Sequence, residues 1–387
     1  MTATLWDELV GQREAIATIR TAARAAADAD AAPGAMTHSW LITGPPGSGR
    51  SNLAYAFAAA LLSGGDEPDD FTERQVRART HPDLAVLSTE RVIISIDEVR
   101  SLVSSSQYSP SVSRYRVMVI EDADRMTERT SNLLLKALEE PPPRTVWILC
   151  APSDADLLPT IRSRVRTVRL RVPDASDVAD LLVARNGVDR DTALAAAREA
   201  QSHIGMAHRL ATNPGARERR AETLRVALGL RSVPSAVEAA ARLVELAKAD
   251  AETITQERDA EERVQLLRTM GVDEGGTVPP ALRSQVKALE EDQKRRATRS
   301  LRDGIDRILL DLLSLYRDIL LRQLGTTGEP MNASVTREIE SAASSGSARQ
   351  TLAVMDAIAV ARRRIEANVP PALALEAMLI AAIRRSS

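Results

Sequence analysis

The segment LITGPPGSGRSN at residues 41–52 constrains the fold of this chain more than any other stretch. A short apolar run enters a glycine-rich turn, and the turn leads into the polar start of a helix. The string from Gly44 to Ser51 fits the pattern G-x-x-x-x-G-K-[ST] except at one position. Glycines let the backbone wrap a phosphate, so that N–H groups and the following helix N-terminus point at it. The segment therefore predicts a strand, a phosphate-binding loop and a helix.

The exception is Arg50, which stands where such loops carry a lysine. A lysine ammonium is a compact charge that reaches between the outer phosphates, whereas the arginine guanidinium is larger, planar and forked. Ser51 supplies the hydroxyl that would bind magnesium. The candidate nucleotide-binding residues of the loop are Gly44, Gly47, Gly49, Arg50 and Ser51. ATP and magnesium binding stay open, fast hydrolysis is disfavoured, and a turn that only joins strand to helix is the alternative.

Two acids, Glu121 and Asp122, follow the apolar run at 115–120. In nucleotide hydrolases this strand end presents an Asp that holds the magnesium shell and then a Glu that polarises water. The order is reversed here. Exchanging the two moves each carboxylate by about 1.5 Å, and a misplacement near 1 Å can cost ~10²-fold in rate. The pair is thus a variant of a magnesium site, or a solvated strand end.

Five short apolar runs alternate with segments of helical period in the first part of the chain. They lie at 39–43, 84–88, 115–120, 145–151 and 166–170. This alternation predicts an α/β domain over 1–172, with a parallel five-stranded sheet and helices on both faces. Between the runs, Ile96, Val99 and Val103 share one helical face. A capping-box pattern at 127 opens a helix that packs Leu134 and Leu138 inward.

The rest of the chain carries helical patterns almost exclusively. Residues 173–213 form two capped helical segments, which predict a small helical subdomain. Residues 214–387 are rich in Ala, Leu, Arg and Glu and predict a helical bundle. Its predicted breaks lie at 271–280, 325–330 and 369–371.

Composition excludes several classes of protein. Lys plus Arg number 51 and Asp plus Glu 53, so the net charge of -2 gives no overall basic field for nucleic acid. The nine aromatic residues do not indicate a platform for stacking bases. The single cysteine, Cys150, lies in an apolar run and reads as a core residue. The N-terminus has no secretion signal and no run predicts a membrane span, so we expect a cytoplasmic protein.

Several motifs together resemble the bacterial DNA polymerase III clamp loader, a pentameric assembly of the AAA+ class, and its delta prime subunits in particular. They are DELVGQREAI, GPPGSGRS, THPDL, the run from YRVMVIEDADRM to EEPPPRTVWIL, and LLPTIRSRV. The resemblance covers residues 5 to about 213 and continues more loosely beyond. It implies an AAA+ module with a helical lid subdomain, followed by an all-α collar that packs five subunits into a ring.

The resemblance also assigns roles to single residues. Arg164 matches the arginine that projects into a neighbouring subunit's ATP site as an arginine finger. Ser153 falls near the polar sensor. In GMAHRLA, His208 stands where the second sensor has an arginine, and Arg209 follows one place late. Together with Arg50 and the reversed acids, this makes three departures from an active ATPase site.

Family members often bind zinc with four cysteines placed before the His81-Pro82-Asp83 motif. Here that segment has no cysteine, and its acids indicate a solvated loop, so we expect no zinc. In the C-terminal region, Arg295, Arg299 and Arg302 share one helical face. They could track DNA phosphates, but a solvated face with intrahelical ion pairs is favoured.

The resemblance implies a non-motor subunit that helps an ATP-driven complex load the sliding clamp onto primed DNA. Its partners would be the gamma/tau motor subunits, delta, the clamp and primer-template DNA, with no membrane. The alternative is an active AAA+ ATPase with a variant loop. A third possibility is an interaction module unrelated to replication.

Overall fold

The computed structural model describes residues 4–28, 34, 36–89, 93–269 and 283–383. The chain divides into two compact units, Met1–Thr212 and Asn213–Ser387. The boundary between them lies next to the predicted start of the helical bundle at residue 214. The further division of the first unit at residue 172 stays a prediction.

The first unit is built on a parallel sheet with the strand order β2-β3-β4-β1-β5. The strands are β1 Ser39–Thr43, β2 Leu84–Leu87, β3 Arg116–Ile120, β4 Thr145–Ala151 and β5 Arg166–Arg169. All five apolar runs are therefore confirmed as strands. Every residue of β1 and β4 is buried, because β1 pairs with both β4 and β5, and β4 with both β1 and β3.

Nine helices accompany this sheet in the described part of the first unit. They are α1 Arg13–Ala27, α2 Arg50–Ser63, α3 Asp70–Arg77, α4 Ile96–Ser106, α5 Glu128–Glu139, α6 Pro159–Arg162, α7 Ala175–Asn186, α8 Arg190–Glu199 and α9 Ile204–Thr212. Helix α2 starts directly from the glycine loop, and all residues from Leu53 to Leu62 are buried. A helix that is apolar all round belongs in a core. The loop is thus anchored to the most buried helix of the unit.

In α4 the buried residues are Val99, Leu102 and Ser106, whereas Ile96 and Val103, on the predicted face with Val99, are half-buried. Two other local predictions need correction. The Thr127 side chain caps α5 by accepting the Thr130 N–H. The reciprocal bond of a capping box is missing, because position 130 is a threonine instead of Glu or Gln. The acids expected in a solvated loop are also structured. Asp69 caps α3, and Asp66 pairs with Arg20 and Arg24 of α1.

The second unit is helical throughout its described residues. Its helices are α10 Pro214–Leu228, α11 Val233–Thr269, α12 Arg283–Gln323, α13 Thr336–Ser345, α14 Ala348–Glu366 and α15 Pro371–Ala382. The predicted break at 325–330 falls between α12 and α13, and the one at 369–371 ends at Pro371, the first residue of α15. The predicted break at 271–280 lies outside the described residues. One apolar cluster with members from α10 to α15 forms the core of the unit.

A buried polar network joins three parts of this second unit. The guanidinium of Arg220 donates to Asp311 at 2.9 Å and to the Asn332 side-chain oxygen at 2.5 Å. Asn332 in turn donates to Asp318 through both its backbone N–H and its side-chain amide. Since a buried charge without a partner is strongly destabilising, this network fixes the register of α10 and α12 against the turn at residue 332.

The basic face of α12 makes the intrahelical ion pairs that the sequence favoured. Arg295 pairs with Asp292 at 3.2 Å, and Arg299 pairs with Asp303 at 3.6 Å. Arg302 donates to Asn368. These contacts pair the arginines with groups of the same unit.

Among the described residues, no helix is long and apolar enough to cross a membrane.

The His81-Pro82-Asp83 motif has a structural role in the first unit. The Asp83 carboxylate is buried and accepts the backbone N–H groups of Ser111, Val112 and Ser113 at 2.6–2.8 Å. Burial alone would raise the pKa of Asp83, but these hydrogen bonds and the nearby His81 outweigh it and lower the pKa. The motif therefore holds the loop that leads into β3.

Replacing Asp83 by Asn should lower the stability of the first unit by about 2–3 kcal/mol at neutral pH, because charged hydrogen-bond acceptors contribute that much. A carboxyl with a lowered pKa stabilises the fold above its unfolded pKa, near 4, and this contribution is lost as the pH falls through the folded pKa. The variant should therefore lose part of the acid dependence. Urea unfolding followed by tryptophan fluorescence reads this unit alone, since Trp6, Trp40 and Trp147 all lie in it.

The matched control is Asp97→Asn, which removes an exposed i,i+3 pair with Arg100. We expect that change to stay within ~0.5 kcal/mol. Equal effects of the two substitutions would contradict the structural role of Asp83.

Candidate functional site

The glycine loop has the backbone shape that phosphate wrapping requires. Gly47 and Gly49 adopt φ angles of +78° and +93°, in the left-handed region that favours glycine. Gly49 is the N-cap of α2, so the first N–H groups of that helix face the loop. The hydroxyl of Ser48 is buried and has no hydrogen-bond partner among the described residues. The loop geometry expected from the sequence is therefore present.

Arg50 uses its guanidinium inside the loop itself. Its Nη1 donates to the carbonyl oxygen of Gly44 at 2.9 Å. Arg50 also acts electrostatically on Asp124, whose pKa is raised first by burial and then by the charge of Asp122, an effect that Arg50 offsets only in part. Asp124 was missed by the sequence analysis, although it lies only two residues beyond the acidic pair. The Arg50 guanidinium, which stands at the position of the phosphate-binding lysine, is thus hydrogen-bonded to the backbone of its own loop.

The N-terminal end of α9 also contacts the glycine loop. The Ile204 N–H lies 3.4 Å from the Gly47 carbonyl oxygen. The His203 ring lies so close to Gly47 that a Cβ atom there would be 2.3 Å from the ring. His203, rather than the expected His208, is the lid side chain that contacts the loop. His203 directly precedes α9 and His208 lies within it, and no sequence signal indicated which of the two would contact the loop.

At the acidic strand end, Glu121 is occupied by two groups of its own chain. Its Oε1 accepts hydrogen bonds from the Tyr55 hydroxyl and from Arg79 Nη2, the latter at 2.9 Å. The Arg79 guanidinium also lies 5.4 Å from the centroid of the Tyr55 ring. The neighbouring Asp122 is 3.6 Å from Arg125. Each acid of the pair therefore lies against an arginine.

The tyrosine and the arginine of this cluster are held firmly. Tyr55 is on the buried helix α2, and its burial, followed by the charge of Glu121, raises its pKa well above the ordinary value. It therefore remains a hydrogen-bond donor. Arg79 has a left-handed backbone at φ +57°, which costs a non-glycine residue of order 1–3 kcal/mol. The ion pair and the ring contact help to offset that cost.

Arg164 lies away from this cluster, just after α6. Its side chain donates to Glu139 at the end of α5, to the Thr160 carbonyl at 2.8 Å and to Ser163 Oγ at 2.9 Å. It is about one-third exposed. No contact joins it to the glycine loop in the described part of the chain. This placement suits a group that acts outside its own unit.

The remaining residues suggested by the resemblance have local roles. Ser153, which follows β4, caps a short 3₁₀ turn together with Asp156. His208 is exposed and lies 3.0 Å from the Asn186 amide. Arg209 is half-buried on the same helix. The Cys150 side chain is fully buried, and burial raises its pKa, as expected for a core thiol.

The described residues contain no group of three or more His, Cys, Asp or Glu side chains arranged to hold a metal ion. The absence of a structural zinc stays a prediction. Among the acids that precede His81, Asp66 and Glu67 pair with Arg20 of α1, and Asp69 caps α3.

Comparison with known proteins bears on these features. Residues 21–174 match the family model described as DNA polymerase III, delta subunit. Over 146 residues the chain is 35% identical to the DNA polymerase III subunit delta' of Pseudomonas aeruginosa. The resemblance to delta prime subunits is therefore confirmed. Over 207 residues it is 32% identical to the corresponding subunit of Escherichia coli.

These alignments cover part of each protein. They span 36% of this chain and 44% of the Pseudomonas aeruginosa subunit, and 51% of this chain and 60% of the Escherichia coli subunit. The chain thus matches about half the length of these curated relatives. A DNA polymerase III gamma subunit-related protein from Thermotoga maritima aligns over 88% of this chain and 92% of its own, with 20% identity and a TM-score of 0.42.

Replacing Gly47 by Ala should destabilise the first unit by about 2–4 kcal/mol, because a left-handed alanine is strained and its methyl group would overlap the His203 ring. Combining it with His203→Ala should remove the overlap and leave about 1 kcal/mol for the backbone. A double-mutant cycle by urea unfolding measures this coupling.

Gly64→Ala is the matched control, since Gly64 has φ +80° and nothing within 4 Å of a Cβ atom. It carries the backbone cost without the overlap. Strict additivity of Gly47→Ala and His203→Ala would contradict the contact between α9 and the loop.

Proposed function

We propose that the chain is a non-motor, delta prime-type subunit of a bacterial DNA polymerase III clamp loader. In this role it acts in the cytoplasm with gamma/tau motor subunits and delta, and helps the complex to load the sliding clamp onto primer-template DNA. The matched family and the relatives named delta' support the complex. The state of the site supports the non-motor role.

The observation that carries the non-motor role is the occupation of Glu121 by Arg79 and Tyr55. Magnesium needs anionic oxygen ligands at short range, and a guanidinium at 2.9 Å repels a divalent cation from the same carboxylate. Arg50 adds to this effect, because its contact with Gly44 leaves no compact cation between the outer phosphates. Arg50 therefore acts at the glycine loop of the candidate nucleotide site, and Arg79 acts at its acidic strand end.

The alternative is an active AAA+ ATPase with a variant loop. It is favoured by the left-handed glycines at 47 and 49 and by the buried Ser48 hydroxyl, which has no hydrogen-bond partner in the described part of the chain and could bind a phosphate. ATP binding without turnover would fit both the retained loop and the occupied acid.

We expect the purified chain to release no phosphate from ATP above background in the presence of magnesium. Arg50→Lys alone should not restore turnover, because Arg79 and Tyr55 still occupy Glu121. A phosphate-release assay with Arg50→Lys, Arg79→Ala and the double variant tests this. Robust turnover by the natural chain, abolished by Arg50→Ala, would establish the alternative instead.

Arg164 is proposed to act as an arginine finger on the ATP of a neighbouring motor subunit. Such a finger is worth roughly 10³–10⁵ in kcat at its site. Arg164→Ala in a reconstituted complex should therefore remove the ATPase contribution of one site and slow clamp loading, while the subunits still co-purify. Exposed Arg162→Ala is the control. Normal ATPase and loading with Arg164→Ala would reject the finger, and failure of the chain to co-purify with gamma/tau and delta would reject the complex.

A further inference from the structure

The guanidinium of Arg164 is held by acceptors from two elements of its own chain. Its Nε donates to Glu139 Oε1 at 2.6 Å, and its Nη2 donates to the same oxygen. Its Nη1 donates to Thr160 and Ser163 at the end of α6. Arginine has five N–H donors in a fixed plane, so these four contacts leave one N–H for any other acceptor.

This occupancy conflicts with phosphate recognition. Arginine binds phosphate most strongly through two parallel N–H donors on one edge of the guanidinium. One edge of Arg164 faces Glu139, and the opposite Nη1 is committed to α6. A two-donor contact with a phosphate on another chain therefore requires that at least one of these bonds be released.

Glu139 is the acceptor that is easiest to exchange. It lies in the last turn of α5, where the helix dipole disfavours a negative charge. The pair is accessible to water, with side-chain exposures of 32% for Arg164 and 45% for Glu139. Exposed pairs of this kind contribute little to stability. A nucleotide phosphate carries more charge than a carboxylate, so it can replace Glu139 without a large cost.

We propose that Glu139 is a positioning residue, which holds Arg164 on its own chain until the phosphate of a neighbouring subunit's nucleotide takes its place. This inference rests on the proposed finger role of Arg164. The Glu139 carboxylate then competes with the nucleotide phosphate for the Arg164 guanidinium, so the charge of Glu139 sets how readily Arg164 binds that phosphate.

The test uses the reconstituted clamp-loader complex with Glu139→Gln, Glu139→Asp and the natural chain. Removing the competing charge should lower the ATP concentration needed for half-maximal ATPase by roughly twofold to fivefold, the range of an exposed ion pair. The maximal rate should change little, and Glu139→Asp should retain the natural value. A purely structural role would change the stability of the chain instead of this concentration.

Glu140→Gln is the matched control. Glu140 is the exposed next residue, and no ion pair joins it to a described residue. Like Glu139→Gln, the substitution Glu140→Gln removes one negative charge from the C-terminal end of α5. An identical response to Glu139→Gln and Glu140→Gln would overturn the proposal, as would a loss of maximal rate with Glu139→Gln as large as with Arg164→Ala.

Two further measurements separate this proposal from the finger role. In an Arg164→Ala background, Glu139→Gln should have no effect, because there is no guanidinium left to release. On the full chain alone, the Arg164 Nε–H resonance in NMR should shift with Glu139→Gln and not with Glu140→Gln. If Arg164→Ala leaves the ATPase of the complex unchanged, the finger role fails. If Arg164→Ala lowers it but Glu139→Gln acts like Glu140→Gln, only the positioning role fails.

Discussion

The complete burial of β1 between β4 and β5 is the constraint on which the rest of the first unit depends. In a parallel sheet all strands end at the same edge, so the loop after β1, the acids after β3 and the serine after β4 must come together there. Helix α2 then extends the same burial from the loop into the core. The candidate site therefore follows from packing, whatever chemistry it retains.

A second recurring feature of this molecule is that arginines of the candidate sites bond to acceptors of their own chain. Arg50 is bonded to the loop backbone, Arg79 to Glu121, and Arg164 to Glu139. The pairs differ in the burial of the acceptor, since Glu121 is 13% exposed whereas Glu139 is 45% exposed. The bond between Arg164 and Glu139 is therefore less costly to exchange than the bond between Arg79 and Glu121.

Polar residues at both ends of the strands have structural roles that do not depend on catalysis. Asp83 holds the loop before β3 through three backbone N–H groups. Gln12 holds the residue after β5 through two bonds to the backbone of Arg171. Ser153 caps the turn after β4. Such residues stabilise the framework, whether or not the chain hydrolyses ATP.

The sequence by itself determined the five strands, the glycine loop before α2 and the helical second unit, because periodicity and glycine content are local properties. It also identified Arg50 and the acidic pair as departures from an ATPase. The tertiary structure alone decided which partners these residues have. Tyr55, Arg79 and Glu121 are far apart in the chain, as are His203 and Gly47, or Glu139 and Arg164. Their contacts arise only when the fold brings distant segments together, and no local pattern encodes which arginine meets which acid.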